Sequence, residues 1–194
     1  PKFVEARQKY VTHIAKMLQL AGRPDAQAAA QRIYDLEKQI AAVHWTRAEQ
    51  RQIEKIYNPV ATADLAAKMP GFDWTAMLTE QRLAGQPQVI VAQPSALTST
   101  AKIVDATPLS TWKEYLAYHT ISNAAPLLST AFTDENFAFY GTTLSGTPEL
   151  KARWKRGVDL VNGSLGEAVG QIYVQKYFPP EAKAKADELV RNLI

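Results

Sequence analysis

Apolar residues along this chain recur mostly at helical spacing. Between Lys2 and Ala21, Val4, Val11, Ile14 and Leu18 form a stripe, with Tyr10 and Met17 slightly off it. That spacing predicts a first helix, stopped by Gly22. Pro24 suits the first turn of a second helix, with Asp25 near its positive end. Ala29, Ile33, Leu36, Ile40 and Val43 then follow at steps of four, three, four and three, a single apolar seam closed by His44 and Trp45. Thr46-Arg47-Ala48-Glu49 has the form of a capping box. It predicts a third helix running to about Tyr57, where Asn58-Pro59 breaks it.

Smaller elements come next. Thr62 suits the cap of a short helix ended by Pro70-Gly71, and Asp73 the cap of another from Trp74 to about Leu83, before Gly85. Pro87–Ala92 carries the one strand pattern, ended by Pro94; without a visible partner it reads equally as an extended linker. Thr107-Pro108 opens a long helix bearing Leu109, Trp112, Leu116 and Ile121, which Pro126 kinks or splits. Thr133-Asp134-Glu135 and Thr147-Pro148-Glu149 read as further helix starts. The second leads into a long helix with Trp154, Val158, Val161, Leu165, Val169, Ile172 and Tyr173 on one side. Pro179-Pro180 breaks it, and Pro180–Ile194 forms a last amphipathic helix. The expected fold is mainly α, a multi-helix lobe with at most one short extended segment, forming a single helical domain over residues 1–194.

Composition narrows the function classes. With 194 residues, 46% hydrophobic and 21% charged, the chain is an ordinary globular one and neither disordered nor collagenous. The absence of cysteine excludes a disulfide scaffold, a thiolate zinc finger and a cysteine nucleophile. A net charge of +3 is a small excess, which argues against nucleic acid as a partner. No apolar run reaches the ~18 residues that cross a bilayer, so no membrane segment is expected. A start at Pro1 rather than Met reads as a processed or excised piece of a longer product.

Motifs that carry chemistry are missing. His13, His44 and His119 show no four-residue pairing, so no His-Glu-x-x-His zinc helix exists, and each reads as an ordinary packing or surface histidine. Gly163-Ser164-Leu165-Gly166 is not a nucleophile elbow. Gly163, Gly166 and Gly170 lie in a helical pattern, where each costs about 1 kcal/mol relative to alanine. The expected compensation is close approach of a neighbouring helix, above all at Gly166 and Gly170. Asn162-Gly163-Ser164 matches a glycosylation sequon that a helix would leave unused. Lys151, Arg153, Lys155 and Arg156 are flanked by Glu149 and Asp159 and read as a solvated face. Asp35 and Glu37 point about 200° apart on a helix and make no catalytic pair. Trp45, Trp74, Trp112 and Trp154 read as core. No catalytic, cofactor-binding or metal-binding residue is assigned.

The last third has a more specific pattern. Tyr140-Gly141-Thr142-Thr143, Arg153-Trp154-Lys155-Arg156, Val161-Asn162-Gly163, and Glu167-Ala168-Val169-Gly170-Gln171-Ile172-Tyr173-Val174 with Phe178 follow in order. Upstream, Ile33–Ala41, Tyr57-Asn58-Pro59 and Phe72-Asp73-Trp74 agree in order and spacing. This series resembles the neprilysin and endothelin-converting-enzyme family of zinc endopeptidases over nearly the whole chain. The resemblance implies a substrate-enclosing helical lobe from the N-terminal portion of such an enzyme, which hydrolyses short peptides with zinc. It implies a C-terminal catalytic domain of the same chain as partner and peptides as the parent's substrates. The zinc ligands and catalytic residues of the family match no position here, so this piece alone is expected to be inactive and to hold no cofactor. Asn136–Tyr140 is a lobe helix and not the family's substrate-binding Asn-Ala-aromatic motif. Gly157 stands where many members have cysteine, which points to a bacterial-type member. A periplasmic or secreted location is favoured by the resemblance, with a cytoplasmic one open. The competing reading is a stand-alone helical interaction module.

Overall fold

In the computed structural model, which describes residues 2–193, the first two seams pack on each other. Helix α1 (Lys2–Leu20) ends at Gly22, whose φ of 69° places it in the left-handed region. The Gly22 N–H donates to the Gln19 carbonyl at 2.9 Å and the Arg23 N–H to the Leu18 carbonyl at 3.0 Å, the two bonds of a Schellman end. Helix α2 (Ala26–Val43) starts after Pro24, not on it. Asp25 takes a left-handed φ of 52° and its side chain caps nothing, so the chain turns between the two helices instead of entering α2 through the proline. Ile14, Met17 and Leu18 of α1 meet Ala29, Ala30 and Ile33 of α2 in a buried cluster completed by Tyr118 and Ala125.

The capping box forms, but the long helix does not. The Thr46 N–H donates to Glu49 Oε2 at 2.9 Å and the Glu49 N–H to Thr46 Oγ1 at 3.3 Å. They open only a 3-10 turn, Glu49–Arg51; Gln52 is extended, and α3 is the single turn Ile53–Ile56. Neither piece has a buried residue, and without a packed face a short helix has little to sustain it.

The strand pattern finds its partner in a segment read from sequence as a break. β1 (Pro59–Ala61) pairs antiparallel with β2 (Gln88–Ile90), Val60 opposite Val89. Pro59 is tolerated because it lies opposite Ile90 in a pair that exchanges no hydrogen bonds, so its missing N–H is not needed. Thr62 is no helix cap: its hydroxyl donates to the Gln86 carbonyl at 2.9 Å, tying β1 to the approach to β2. Between the strands lie α4 (Leu65–Lys68) and α5 (Trp74–Glu80). Asp73 caps α5 as expected, accepting from the Ala76 N–H at 2.9 Å. Val60, Leu65, Met69, Trp74, Leu78, Val91 and Ala101 form a second core, with the Trp74 indole donating to the Met69 carbonyl at 2.7 Å.

Pro94 does not merely end the strand. It is the first residue of α6 (Pro94–Ala106), a helix the sequence reading missed. Thr107 therefore closes α6, its hydroxyl donating to the Ile103 carbonyl at 2.6 Å, and α7 (Leu109–Ala124) begins after Pro108. Pro126 sits in a 3-10 turn, Ala125–Leu127, that ends α7. Helix α8 (Thr130–Asn136) starts after Ser129; Thr133 is buried inside it, bonded to the Ala125 carbonyl at 3.1 Å. A π-helical stretch, Phe137–Leu144, continues it. The fold is mainly α, 74% helical with ten helices and a two-strand sheet among the described residues.

Contacts divide the chain at Gly146-Thr147 into two units. The second comprises α9 (Arg153–Tyr177) and α10 (Pro180–Arg191). Thr147-Pro148-Glu149 precedes α9 without starting it. Leu165 leaves helical geometry at φ −128° and ψ 19°, so α9 is two helical pieces joined at a break flanked by Gly163, Ser164 and Gly166. Neither helix contains a buried residue, and a Cβ built on Gly163, Gly166 or Gly170 meets nothing within 4 Å. The expected helix–helix approach at Gly166 and Gly170 is thus not made among the described residues. Trp154, read as core, is 68% exposed.

Candidate functional site

The three histidines stay apart in role and partner. His13 is 1% exposed on α1, and its Nδ1 lies 3.0 Å from Glu135 Oε1 on α8. Its ring stacks on Phe139 with centroids 4.9 Å apart. Burial pushes the His13 imidazole pKa down, against a smaller upward pull from Glu135. The neutral ring donates from Nδ1 to the carboxylate, and Nε2 is buried with no hydrogen-bond partner. His119 on α7 faces Glu37 of α2, Nε2 to Oε1 2.8 Å, and the Tyr10 hydroxyl donates to the same oxygen at 3.0 Å. His44 follows the last residue of α2. Among the described residues no group of three His, Asp or Glu side chains is placed to hold a metal ion.

These partners form a polar and aromatic network joining α1, α2, α7 and α8. Burial raises the phenol pKa values of Tyr10 and Tyr118, so both remain protonated donors at neutral pH. Among the described residues the network holds no activated nucleophile, and Tyr10 and Phe139 also line a cavity of about 470 Å³ with Phe3, Arg7, Tyr140 and Leu144. The network's chemistry is that of a tie between helices. Arg32 of α2 adds a second tie, forking onto Glu114 of α7 with Nε to Oε2 2.9 Å and Nη2 to Oε1 2.6 Å. Those bonds hold the Glu114 carboxyl below its ordinary pKa. Asp35 bonds Gln31 on its own helix and takes no part. Lys151 pairs with Asp159 at 2.8 Å, as a solvated face would.

A feature absent from the sequence reading is a cavity of about 440 Å³ beside β2. Trp74, Met77 and Leu83 form one wall, Ala96 and Leu97 of α6 another, and Val89 through Gln93 run along it, whereas β1 supplies none of its lining. Its walls include His44 but no Asp, Glu, Lys or Arg. The signal available in sequence was the apolar run Val89–Ala92; locating the cavity also needed α6.

A family model described as peptidase family M13 matches residues 1–194. Neutral endopeptidase of Lactobacillus helveticus is 28% identical over 193 residues, covering 100% of this chain and 30% of that protein. Neprilysin-2 of Drosophila melanogaster is 29% identical over 206 residues, covering 98% of this chain and 26% of that protein. Among solved structures, Mycobacterium tuberculosis zinc metalloprotease Zmp1 in its open state superposes with a TM-score of 0.87 at 36% identity, over 97% of this chain and 30% of that one. Its inhibitor complex gives 0.87 at 34%, over 100% and 30%. The chain therefore spans less than a third of the length of each of these relatives.

Proposed function

The chain belongs to peptidase family M13, and from that membership we propose that it is the substrate-enclosing helical lobe of a zinc endopeptidase that hydrolyses short peptides. One observation carries the reading: the match covers every residue here, yet the relatives are more than three times as long. A helical lobe without a catalytic centre accounts for both.

The described residues do not fit a zinc site. His13 and His119 each bond a different carboxylate, and among the described residues no third ligand joins either pair. In this reading zinc belongs to the catalytic domain in the remainder of the parent protein, where it supplies an activated water. No step of the hydrolysis is assigned to residues 1–194. The lobe's part is to admit small substrates, refuse large folded ones and keep bulk water from the reaction. The exposed apolar side chains of α9 and α10 support the reading, since a surface of that kind marks a contact with another part of a protein. The open and partially open states in which the mycobacterial enzyme has been solved fit a lobe that encloses its substrate.

The test uses the intact parent. A fluorogenic peptide is offered free, and again as a loop within a stable folded carrier. Enclosure predicts cleavage of the free peptide and survival of the carrier. Equal rates on both would contradict it.

A further inference from the structure

We propose that the outer edge of β2 and the adjoining cavity form a docking site for an extended peptide, which adds as a third strand and seats one uncharged apolar side chain in the cavity. The Val91 N–H donates to the Asn58 carbonyl at 2.9 Å and the Thr62 N–H to the Pro87 carbonyl at 3.0 Å. With Val60 opposite Val89, the residues bonding to β1 are Pro87, Val89 and Val91. The N–H and C=O groups of Gln88 and Ile90 therefore point to the other side. Two donors and two acceptors form a short unpaired edge, the geometry that binds extended peptides by strand addition.

The cavity adjoins β2 and not β1. Its lining follows Val89 through Gln93 and then the walls from α5 and α6, with nothing from β1. A strand beside β2 sends alternate side chains to opposite faces, so every second residue of the guest can reach the cavity. Walls without a formal charge select an apolar, uncharged side chain there. The lining includes the polar side chains of Gln93 and Thr100, so the pocket is not purely greasy. A second copy of the chain is the poorer occupant. Pairing two three-residue edges buries far less than the ~1,200 Å² of a stable association. A helix is poorer still, because its backbone groups are already bonded to one another.

The site stands apart from the peptidase reading, since it is read by binding without turnover. The test is a titration of the ¹⁵N-labelled 194-residue chain with the capped pentapeptide acetyl-Ser-Thr-Leu-Thr-Ser-amide, followed by NMR. Saturable shifts of the Gln88 and Ile90 amides and of the Trp74 indole are expected. Ile90→Pro removes one outward donor and leaves the bonds to β1 in place. It should weaken binding about tenfold. Should that variant fold poorly, the guest supplies the same test. N-methylation at peptide nitrogens of one alternating phase abolishes binding, while methylation of the other phase spares it. The proposal is overturned by any of four results: no saturable shift at millimolar peptide; equal binding of both methylated phases; concentration-dependent shifts of the β2 edge without peptide; or loss of the site in the complete parent protein.

Discussion

Arg82 occupies a left-handed backbone position, φ 57°, at the end of α5. Its N–H donates to the Thr79 carbonyl at 2.9 Å and the Leu83 N–H to the Leu78 carbonyl at 2.7 Å. These are the bonds that glycine makes at Gly22, but here an arginine bears the steric cost of its Cβ. Arg82→Gly should therefore raise stability by about 1 kcal/mol, less whatever glycine adds to the freedom of the unfolded chain. A urea midpoint at or below that of the wild type would refute this. The sequence pointed to Gly85 as the stop of this helix, because glycine is the usual resident and nothing about an arginine announces a left-handed turn. Gly71 shows the reverse case. Its φ is 100°, and an added Cβ would lie 3.0 Å from the Ala101 carbonyl oxygen, so Pro70-Gly71 marked a turn for a reason the sequence could carry.

Elements were legible where an apolar seam meets a partner and illegible where a signal admits two uses. The Ile33–Val43 seam and the Asp73 cap stand as read. Pro94 ends β2 and starts α6 at once, and taking only the first meaning cost a whole helix. Thr107 and Thr133 look like starts, but spend their hydroxyls on carbonyls, one closing a helix and one inside the next. The contact of α1 with α8 carries a pH signature that no periodicity reveals. Because burial keeps the His13 pKa below its ordinary 6.5, the unfolded chain binds more protons than the folded one once the pH drops past that value. This contribution is full above about pH 6.5 and is lost as the pH falls toward the folded pKa. Glu5, Glu49 and Glu114, whose carboxyls are held low, add their losses only below about pH 4.5. His13→Gln should flatten the fall in urea midpoint between about pH 7.5 and 5.5 relative to wild type. Parallel profiles would exclude His13 as the source.

At the scale of the molecule, the family was legible in collinear motifs, and the packing of α9 was not. A stripe of apolar residues says that a helix face seeks cover and is silent on where the cover lies. Val169 and Tyr173 read as inward-facing, yet they are 40% and 58% exposed. Gly170 has open space around it, so within the 194-residue chain Gly170→Ala should add up to about 1 kcal/mol through helix propensity alone. A loss of helicity by circular dichroism would argue for a hidden contact. In the parent protein the same substitution meets whatever packs on α9, and the sign there reports that contact.

The proposed function divides the labour between this lobe and the remainder of its parent. Metal content and peptide cleavage, measured side by side on the repurified 194-residue chain and the intact parent, test it most directly. One zinc per parent chain with turnover, and neither zinc nor turnover for the 194-residue chain, is the result the division predicts. Stoichiometric zinc or surviving turnover in the 194-residue chain would contradict it.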